Sequence, residues 1–213
     1  NKFGIGQKVS LDMFEESSGL MPSREWKRAT RRQAWFPGET LILGIGQGYM
    51  QATPLQLAQA TALIANKGVW NRPHLAKTIE GVRPVDENPM EDIVLRDKAD
   101  WNRVTHGMEM VMHGARGTAR KAAIGAQYRI AGKSGTAQIS EGAGYGSRHA
   151  ISFVGYAPAE DPQYVVAITY YKPTTIVSSI GAVPSFKSIM QQVLRHYRVP
   201  PSTGKSADIA TEW

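Results

Sequence analysis

Three strand-like segments follow one another in the second half of the chain, at residues 128–139, 150–156 and 164–171. The link between the last two, residues 157–162, is turn-rich and too short for a helical crossover. Parallel neighbours need such a crossover, whereas antiparallel neighbours can be joined by a short turn. The sequence therefore predicts an antiparallel sheet.

Helix signals lie before and after these strands. Thr53 can cap a helix, and Gln56 can return a hydrogen bond to that cap. Gly68 is suited to end this helix. Two further helices are predicted at residues 100–113 and 184–198, where apolar residues recur at helical spacing. The residues expected to face the core are Trp101, Val104, Met108, Val111, Met112, Phe186, Ile189, Met190, Val193 and Leu194.

The first forty residues contain glycine, proline, serine and alternating charges without sustained apolar periodicity, so irregular structure is predicted there. The chain carries a net charge of +7, and its basic residues cluster only at residues 27–32. No nucleic-acid motif accompanies this cluster, so nucleic acid is not expected as a partner. A solvated basic loop is the simpler interpretation; as a functional patch it would suit an anionic polymer or lipid headgroups.

Composition indicates one sizeable domain with a core, because the chain has 213 residues of which 42% are hydrophobic and 20% charged. No apolar run approaches the ~20 residues that span a bilayer. Cysteine is absent, so no disulfide or thiolate metal site is expected. The five histidines are scattered and lack metal-ligand spacing, so no metal or other cofactor is expected in this segment.

A group of reactive side chains, Lys133-Ser134-Gly135-Thr136, lies within the first predicted strand. The lysine can polarise a neighbouring hydroxyl, and Ser134 and Thr136 share a face at period 2, where they can hold an anion. Gly135 lets a substrate backbone lie close to the strand. A nucleophile must then come from elsewhere. Taken alone, these four residues are also compatible with an ordinary surface turn.

Two glycine-containing segments resemble phosphate-binding loops, but neither has the required spacing. Gly132-Lys133-Ser134 ends like a P-loop, yet the first glycine of that pattern would fall at Gln127. In the run Gly44-Ile45-Gly46-Gln47-Gly48, the third glycine comes one residue too early for a dinucleotide-binding loop. A tight backbone turn is predicted there instead.

Several short segments, taken in order along the chain, resemble segments of one known protein family. Residues 133–138 are similar to the third motif of the penicillin-binding transpeptidases and serine β-lactamases. Residues 44–49, 52–58 and 117–119 resemble the class B penicillin-binding proteins, and residues 18–27 resemble their elongation-type (penicillin-binding protein 2) subgroup. The resemblance implies an α+β fold with an antiparallel sheet flanked by helices, of which this chain would supply the C-terminal portion.

The other two motifs of the family, Ser-x-x-Lys and Ser-x-Asn, are not found within residues 1–43. We therefore interpret residues 1–199 as the C-terminal portion of a transpeptidase domain and residues 200–213 as a flexible tail. The tail string Ser202-Thr203-Gly204-Lys205 matches the first of these motifs, and Ser206-Ala207-Asp208 matches the Ser-x-Asp form of the second. We interpret both as coincidence, because a nucleophile of this kind needs a rigid, buried helix start. The nucleophile is expected upstream, and this segment alone is predicted to be inactive.

The resemblance implies D,D-transpeptidation of peptidoglycan stem peptides, with covalent inhibition by β-lactam antibiotics. Catalytic roles are implied for Lys133, which would assist proton movement, and for Thr136, whose backbone N–H would share the oxyanion hole with the nucleophile. Substrate binding is implied for Ser134, Gly135 and Thr136, with the two hydroxyls on the substrate carboxylate.

The resemblance also implies a location on the periplasmic face of the bacterial inner membrane, with an anchor upstream. Expected partners are the upstream part of the same domain, a glycosyltransferase and rod-shape elongation proteins; metal binding by the upstream part stays open. Two alternatives stay open as well. A β-lactamase or D,D-carboxypeptidase would use the same motif and deacylate with water. A non-catalytic cell-wall assembly module would use the sheet and the basic loop for docking.

Overall fold

The computed structural model describes residues 2–78, 80–82, 89–139, 148–173 and 181–202. The chain divides into two compact units, a first unit of residues 1–60 and 70–91 and a second unit of residues 61–69 and 92–213. The helices and strands are α1 Arg24–Arg31, α2 Pro37–Gly44, α3 Pro54–Ala65, α4 Ala99–His113, α5 Arg120–Ala123, β1 Ala131–Ile139, β2 Arg148–Ala157, β3 Tyr164–Tyr171 and α6 Ala182–His196. Within these ranges, none of the helices has the length and apolar character needed to cross a membrane.

The second unit contains an antiparallel sheet with the strand order β1-β2-β3. In the register, Ser134 lies opposite Phe153, and Phe153 lies opposite Ile168. The predicted antiparallel pairing is therefore confirmed. The first strand begins at Ala131 rather than at Tyr128, whose hydroxyl donates to the Val199 carbonyl at 2.9 Å.

Both faces of this sheet are covered by helices. On one face, the ring of Phe153 packs edge to face against Phe186 of α6, with centroids 4.7 Å apart. Met190 and Leu194 continue this core along the same helix. On the other face, Tyr156 packs with Met108 of α4 in a smaller cluster. The sheet edge that carries the Lys-Ser-Gly-Thr motif is thus supported from both sides.

The predicted helices over residues 100–113 and 184–198 are confirmed as α4 and α6, but two apolar positions were assigned wrongly. Val104 is 46% exposed and Ile189 is 44% exposed. Each follows a buried aromatic residue, Trp101 or Phe186, by three positions. Val104 and Ile189 therefore lie at the margin of the buried face of their helix. In each helix the buried face is narrower than the distribution of apolar residues in the sequence suggests.

The helix predicted after Thr53 is confirmed together with its start and stop. The backbone N–H of Gln56 donates to Thr53 Oγ1 at 3.1 Å, and the Thr53 N–H donates to Gln56 Oε1 at 3.0 Å. At the other end, Gly68 has a φ of +95° and its N–H donates to the Leu63 carbonyl at 2.7 Å. Such a left-handed conformation favours glycine.

The prediction of irregular structure over the first forty residues is confirmed for residues 2–23, which contain no helix or strand, but it was wrong further on, where α1 lies and α2 begins. The hydroxyl of Ser23 caps α1 by accepting from the Trp26 N–H at 3.1 Å. At the start of α2, Glu39 accepts from the Phe36 N–H at 2.7 Å, and Pro37 occupies the first turn. Both helices are eight residues long. So short a helix leaves little apolar periodicity in the sequence.

The interpretation of residues 27–32 as a solvated basic loop was also wrong. These residues lie mostly in α1 rather than in a loop, and Lys27 is only 1% exposed, whereas the three arginines of the cluster are exposed as expected. Its ammonium is 2.6 Å from Glu39 Oε1 and 4.4 Å from the centroid of the Phe36 ring. The hydrogen bond from Lys27 lowers the pKa of Glu39. A buried ammonium needs such a partner, and this pairing ties α1 to α2.

Buried and half-buried polar side chains also hold the loops of the first unit. Gln56 is fully buried, and its amide donates to the carbonyls of Gln7 at 2.8 Å and Ser18 at 2.7 Å. Glu16 accepts from the backbone N–H groups of Val9 and Ser10, each at 2.9 Å.

The tight turn predicted in the Gly44–Gly48 run is confirmed, with φ values of +73° at Gly46 and +79° at Gly48.

Candidate active site

The Lys-Ser-Gly-Thr motif lies on β1, an edge strand within the sheet that the structure describes. A strand paired on one side only turns alternate N–H and C=O groups away from the sheet. Lys133 and Thr136 are exposed, while Ser134 and Gly135 are half-buried. The predicted placement of the motif on a strand is confirmed, and the strand offers an open edge to an extended ligand.

Ser134 and Thr136 lie on the same face of the sheet, as predicted from their spacing. Their cross-strand partners are Phe153 and Ile151, both fully buried in the core under α6. Directly opposed residues of antiparallel strands project to one face. The two hydroxyl-bearing side chains therefore stand at the outer margin of a rigid apolar core.

Lys133 alternates to the other face of the sheet, opposite Val154. Its ammonium donates to the carbonyl of Ser134 at 2.7 Å. The positive charge is thus held beside the backbone of the motif while the side chain remains exposed. The expected role of Lys133 in proton movement stays a prediction.

The two glycines that flank Lys133 and Ser134 pack closely against side chains of β2. A Cβ added at Gly132 would lie 2.5 Å from Cζ of Phe153. A Cβ added at Gly135 would collide with the hydroxyl of Ser152 on the neighbouring strand. Gly132 therefore allows the buried ring to reach the strand, and a side chain at Gly135 would force the Ser152 hydroxyl to move.

A further hydroxyl comes from the turn after α4. Thr118 Oγ1 lies 3.3 Å from Ser134 Oγ. The turn is fixed on the end of the helix, because the Ala119 N–H donates to the Val111 carbonyl at 3.0 Å. Residues 117–119 were noted in the sequence only as part of the family resemblance. Their contact with Ser134 spans sixteen positions, and local patterns carry no signal for it.

The entry to β1 is anchored by charged and imidazole side chains of α4. Arg129 pairs with Glu109, and the Ile130 N–H donates to His113 Nε2 at 3.0 Å. Burial lowers the pKa of His113, and the positive charge of Arg129 lowers it further. The neutral imidazole can accept this hydrogen bond, whereas the protonated one cannot. These contacts fix the strand just before the motif.

Of the remaining candidate residues, those that the structure describes form no second reactive cluster. Ser202 Oγ accepts from the Arg129 N–H at 2.9 Å, and its own N–H donates to the Gln127 carbonyl at 3.1 Å. The rest of both tail strings, residues 203–208, lies outside the described residues. Within the part of the chain that is described, no three His, Cys, Asp or Glu side chains are grouped to hold a metal.

An antiparallel sheet covered by helices, with Lys-Ser-Gly-Thr on its open edge, defines the class of penicillin-binding transpeptidases and serine β-lactamases. Comparison with protein families agrees with this class. The family described as "Penicillin binding protein transpeptidase domain" matches residues 1–191. The chain therefore belongs to the penicillin-binding protein transpeptidase family, and the predicted α+β fold is confirmed.

Individual relatives confirm the resemblance to the elongation-type class B members. The chain is 42% identical to the peptidoglycan D,D-transpeptidase MrdA of Haemophilus influenzae over 93% of its length and 32% of the relative. It is similar to the crystal structure of Pseudomonas aeruginosa PBP2 in complex with WCK 5153, with 59% identity, a TM-score of 0.86, and coverage of 95% of this chain and 42% of the other. The complex between PBP2 and MreC from Helicobacter pylori matches with 28% identity and a TM-score of 0.72 over 93% and 34% of the two chains. The chain spans about a third of the length of the curated relatives it matches.

Proposed function

We propose that this chain forms the part of a peptidoglycan D,D-transpeptidase active site that carries the third motif, Lys-Ser-Gly-Thr on β1. The observation that carries the proposal is the hydroxyl pair of Ser134 and Thr136 on the open edge of β1, with the ammonium of Lys133 held on the carbonyl of Ser134. A serine from a preceding segment would attack the penultimate D-Ala carbonyl of a stem peptide and release the terminal D-Ala. The acyl group would then pass from that serine to the amine of a neighbouring stem peptide.

The two hydroxyls suit the terminal carboxylate of the stem peptide, or the corresponding carboxylate of a β-lactam. Each hydroxyl offers one proton to an anionic oxygen, and such charge-assisted hydrogen bonds are stronger than neutral ones. Residues 114–138 contain five basic residues and no acidic one. This local excess of positive charge favours an anionic ligand at the motif.

The backbone of β1 would contribute to the reaction as well. An edge strand can pair with an extended peptide, and the small Gly135 leaves space for that backbone. The N–H of Thr136 would donate to the oxyanion together with an N–H of the nucleophilic serine, a contribution of ~3 kcal/mol to transition-state stabilisation. A side-chain substitution at Thr136 therefore removes the hydroxyl donor and leaves this N–H in place.

The setting of the whole protein is part of the same proposal. The H. pylori structure is a complex between PBP2 and MreC, and this similarity supports a rod-shape elongation protein as a partner here. A glycosyltransferase partner and a location on the periplasmic face of the inner membrane, with an anchor in a preceding segment, complete the proposal. The preceding part of the transpeptidase domain would supply the Ser-x-x-Lys and Ser-x-Asn motifs.

The proposal is tested by the rate at which a penicillin acylates the longer protein that carries this chain. The double variant Ser134→Ala with Thr136→Ala loses two hydrogen bonds to a carboxylate, so the acylation rate is expected to fall about 100-fold or more. Gln138→Ala, one step further along the same face of β1, is the matched control and should retain the rate. An unchanged rate in the double variant would contradict the proposed binding site.

The fate of the adduct separates the transpeptidase from a hydrolase. A transpeptidase is expected to hold the penicilloyl group as a stable ester, whereas a β-lactamase would release it to water and turn the penicillin over. Intact-mass spectrometry over several hours distinguishes a lasting adduct from catalytic loss of the drug.

A further inference from the structure

Thr118 places its hydroxyl next to the Ser134 hydroxyl without belonging to the Lys-Ser-Gly-Thr motif. The two oxygen atoms are 3.3 Å apart, within hydrogen-bonding distance. We infer that Thr118 is a positioning residue, whose hydroxyl orients the Ser134 O–H toward a bound carboxylate. This inference rests on the proposed function, because it assigns to Thr118 a role in the recognition of the carboxylate that Ser134 and Thr136 are proposed to bind.

The backbone on both sides of Thr118 is held in place. The Gly117 N–H donates to the Gly114 carbonyl at 2.9 Å, and the Ala119 N–H donates to the Val111 carbonyl at 3.0 Å. The side chain of Ala119 is only 2% exposed and belongs to the core under α6. A β-branched side chain on such a fixed backbone has few rotamers. The Thr118 hydroxyl is therefore presented to Ser134 by a rigid turn.

The hydrogen-bonding capacity of the two hydroxyls explains how one can orient the other. Ser134 has a single hydroxyl proton, which can point either to Thr118 or to a ligand. When Thr118 donates to Ser134 Oγ, the Ser134 proton is free to point at a carboxylate. An anion favours this arrangement, and the two O–H groups in series strengthen each other. Thr118 thus acts on the ligand through Ser134.

The charges around Thr118 fit an anionic ligand. Arg116, Arg120 and Lys121 are close to it along the chain and exposed. Arg129, further along the chain, pairs with Glu109 of α4. The Arg120 guanidinium donates to the Ala115 carbonyl at 2.7 Å and so stays on the turn. A positive environment of this kind lowers the free energy of a carboxylate beside Thr118.

The test compares a penicillin with its own methyl ester, which lacks the charged carboxylate. In the longer protein that carries this chain, Thr118→Val removes the hydroxyl with little change in shape. We expect the acylation rate with the free acid to fall about three- to tenfold, while the rate with the ester stays unchanged. Thr118→Ser keeps the hydroxyl and should restore the acid-to-ester ratio. Thr105→Val, at a threonine of α4 that donates to the Asn102 carbonyl, is the matched control.

A second comparison uses the Ser134→Ala variant as the starting point. There Thr118→Val is expected to have no further effect, because the group on which Thr118 acts is gone. Equal losses with the acid and the ester, or an undiminished loss in the Ser134→Ala variant, would overturn the inference in favour of a structural role. If the unchanged protein is not acylated by the free acid at all, the proposed function itself fails, and the inference fails with it.

Discussion

The two compact units of this chain are stabilised by different kinds of interaction. In the second unit, a sheet is covered by buried apolar side chains, with Phe153, Phe186 and Met190 fully inaccessible to solvent. In the first unit, fully or almost fully buried side chains include the polar Gln56 and the charged Lys27. Non-directional burial tolerates small shifts of its atoms, whereas buried hydrogen bonds fix backbone geometry and are costly to break. In the first unit, buried hydrogen bonds can therefore hold irregular loops in place. In the second unit, the apolar core supports a regular edge strand.

The largest effect is expected from truncating the apolar core. Phe153→Ala removes a buried ring that packs against Phe186 at 4.7 Å between centroids, so the free energy of unfolding should fall by about 4 kcal/mol. Native-state hydrogen exchange should show the loss in β2 and β3. Phe14→Ala is the matched control, because Phe14 is 88% exposed. Similar losses for the two variants would break the distinction between the units.

A slightly smaller effect is expected from removing the central amide of the first unit. Gln56→Ala leaves the carbonyls of Gln7 and Ser18 without this buried donor, at a cost of about 3 kcal/mol in local stability. Exchange should become faster around residues 4–20 and much less so in the sheet. Gln192→Ala, at an exposed glutamine that donates to Ser188, should cost little. Protection at residues 4–20 that survives the Gln56 change would contradict the polar account of this unit.

A pH dependence is expected from His113 in the second unit. Burial holds its pKa below the ordinary value of 6.5, so the unfolded state binds a proton more readily than the folded state. The stabilising effect of the neutral imidazole is fully present above about pH 6.5 and is lost as the pH falls below that value. His113→Gln keeps an acceptor for the Ile130 N–H and should flatten the pH profile of urea unfolding between pH 5 and 7. An unchanged slope, or an equal flattening by His106→Gln at an exposed site of α4, would contradict this assignment.

The smallest effect has the opposite sign. Gly107 lies inside α4, is exposed, and has open space where a Cβ would be. Gly107→Ala should therefore stabilise the second unit by about 0.8 kcal/mol through helix propensity. Gly155→Ala should destabilise it, because the new Cβ would lie 2.5 Å from the Ala131 carbonyl oxygen. Thermal unfolding of the two variants measures both signs, and a stabilising Gly155→Ala would show that the sheet packs less tightly than described.

The same difference between the units explains what could be predicted from the sequence. The strands, α4 and α6 follow from apolar periodicity, and α3 follows from the local capping pattern of Thr53 and Gln56. The helices α1 and α2 were missed, because a pairing between Lys27 and Glu39 holds them, and these residues lie twelve positions apart. An ion pair at that separation has no periodic signal. In the candidate site, the motif on β1 was predicted, whereas the contact of Thr118 with Ser134 depends on how the turn after α4 folds back.

The most direct test of the central claim is to locate the acylated residue by peptide mapping after a penicillin reacts with the longer protein that carries this chain. The account predicts one penicilloyl ester on a serine that precedes Asn1, and no adduct when residues 1–213 are tested alone. An adduct on Ser202, or on any other residue of this segment, would contradict the account, because the nucleophile would then lie within the chain itself.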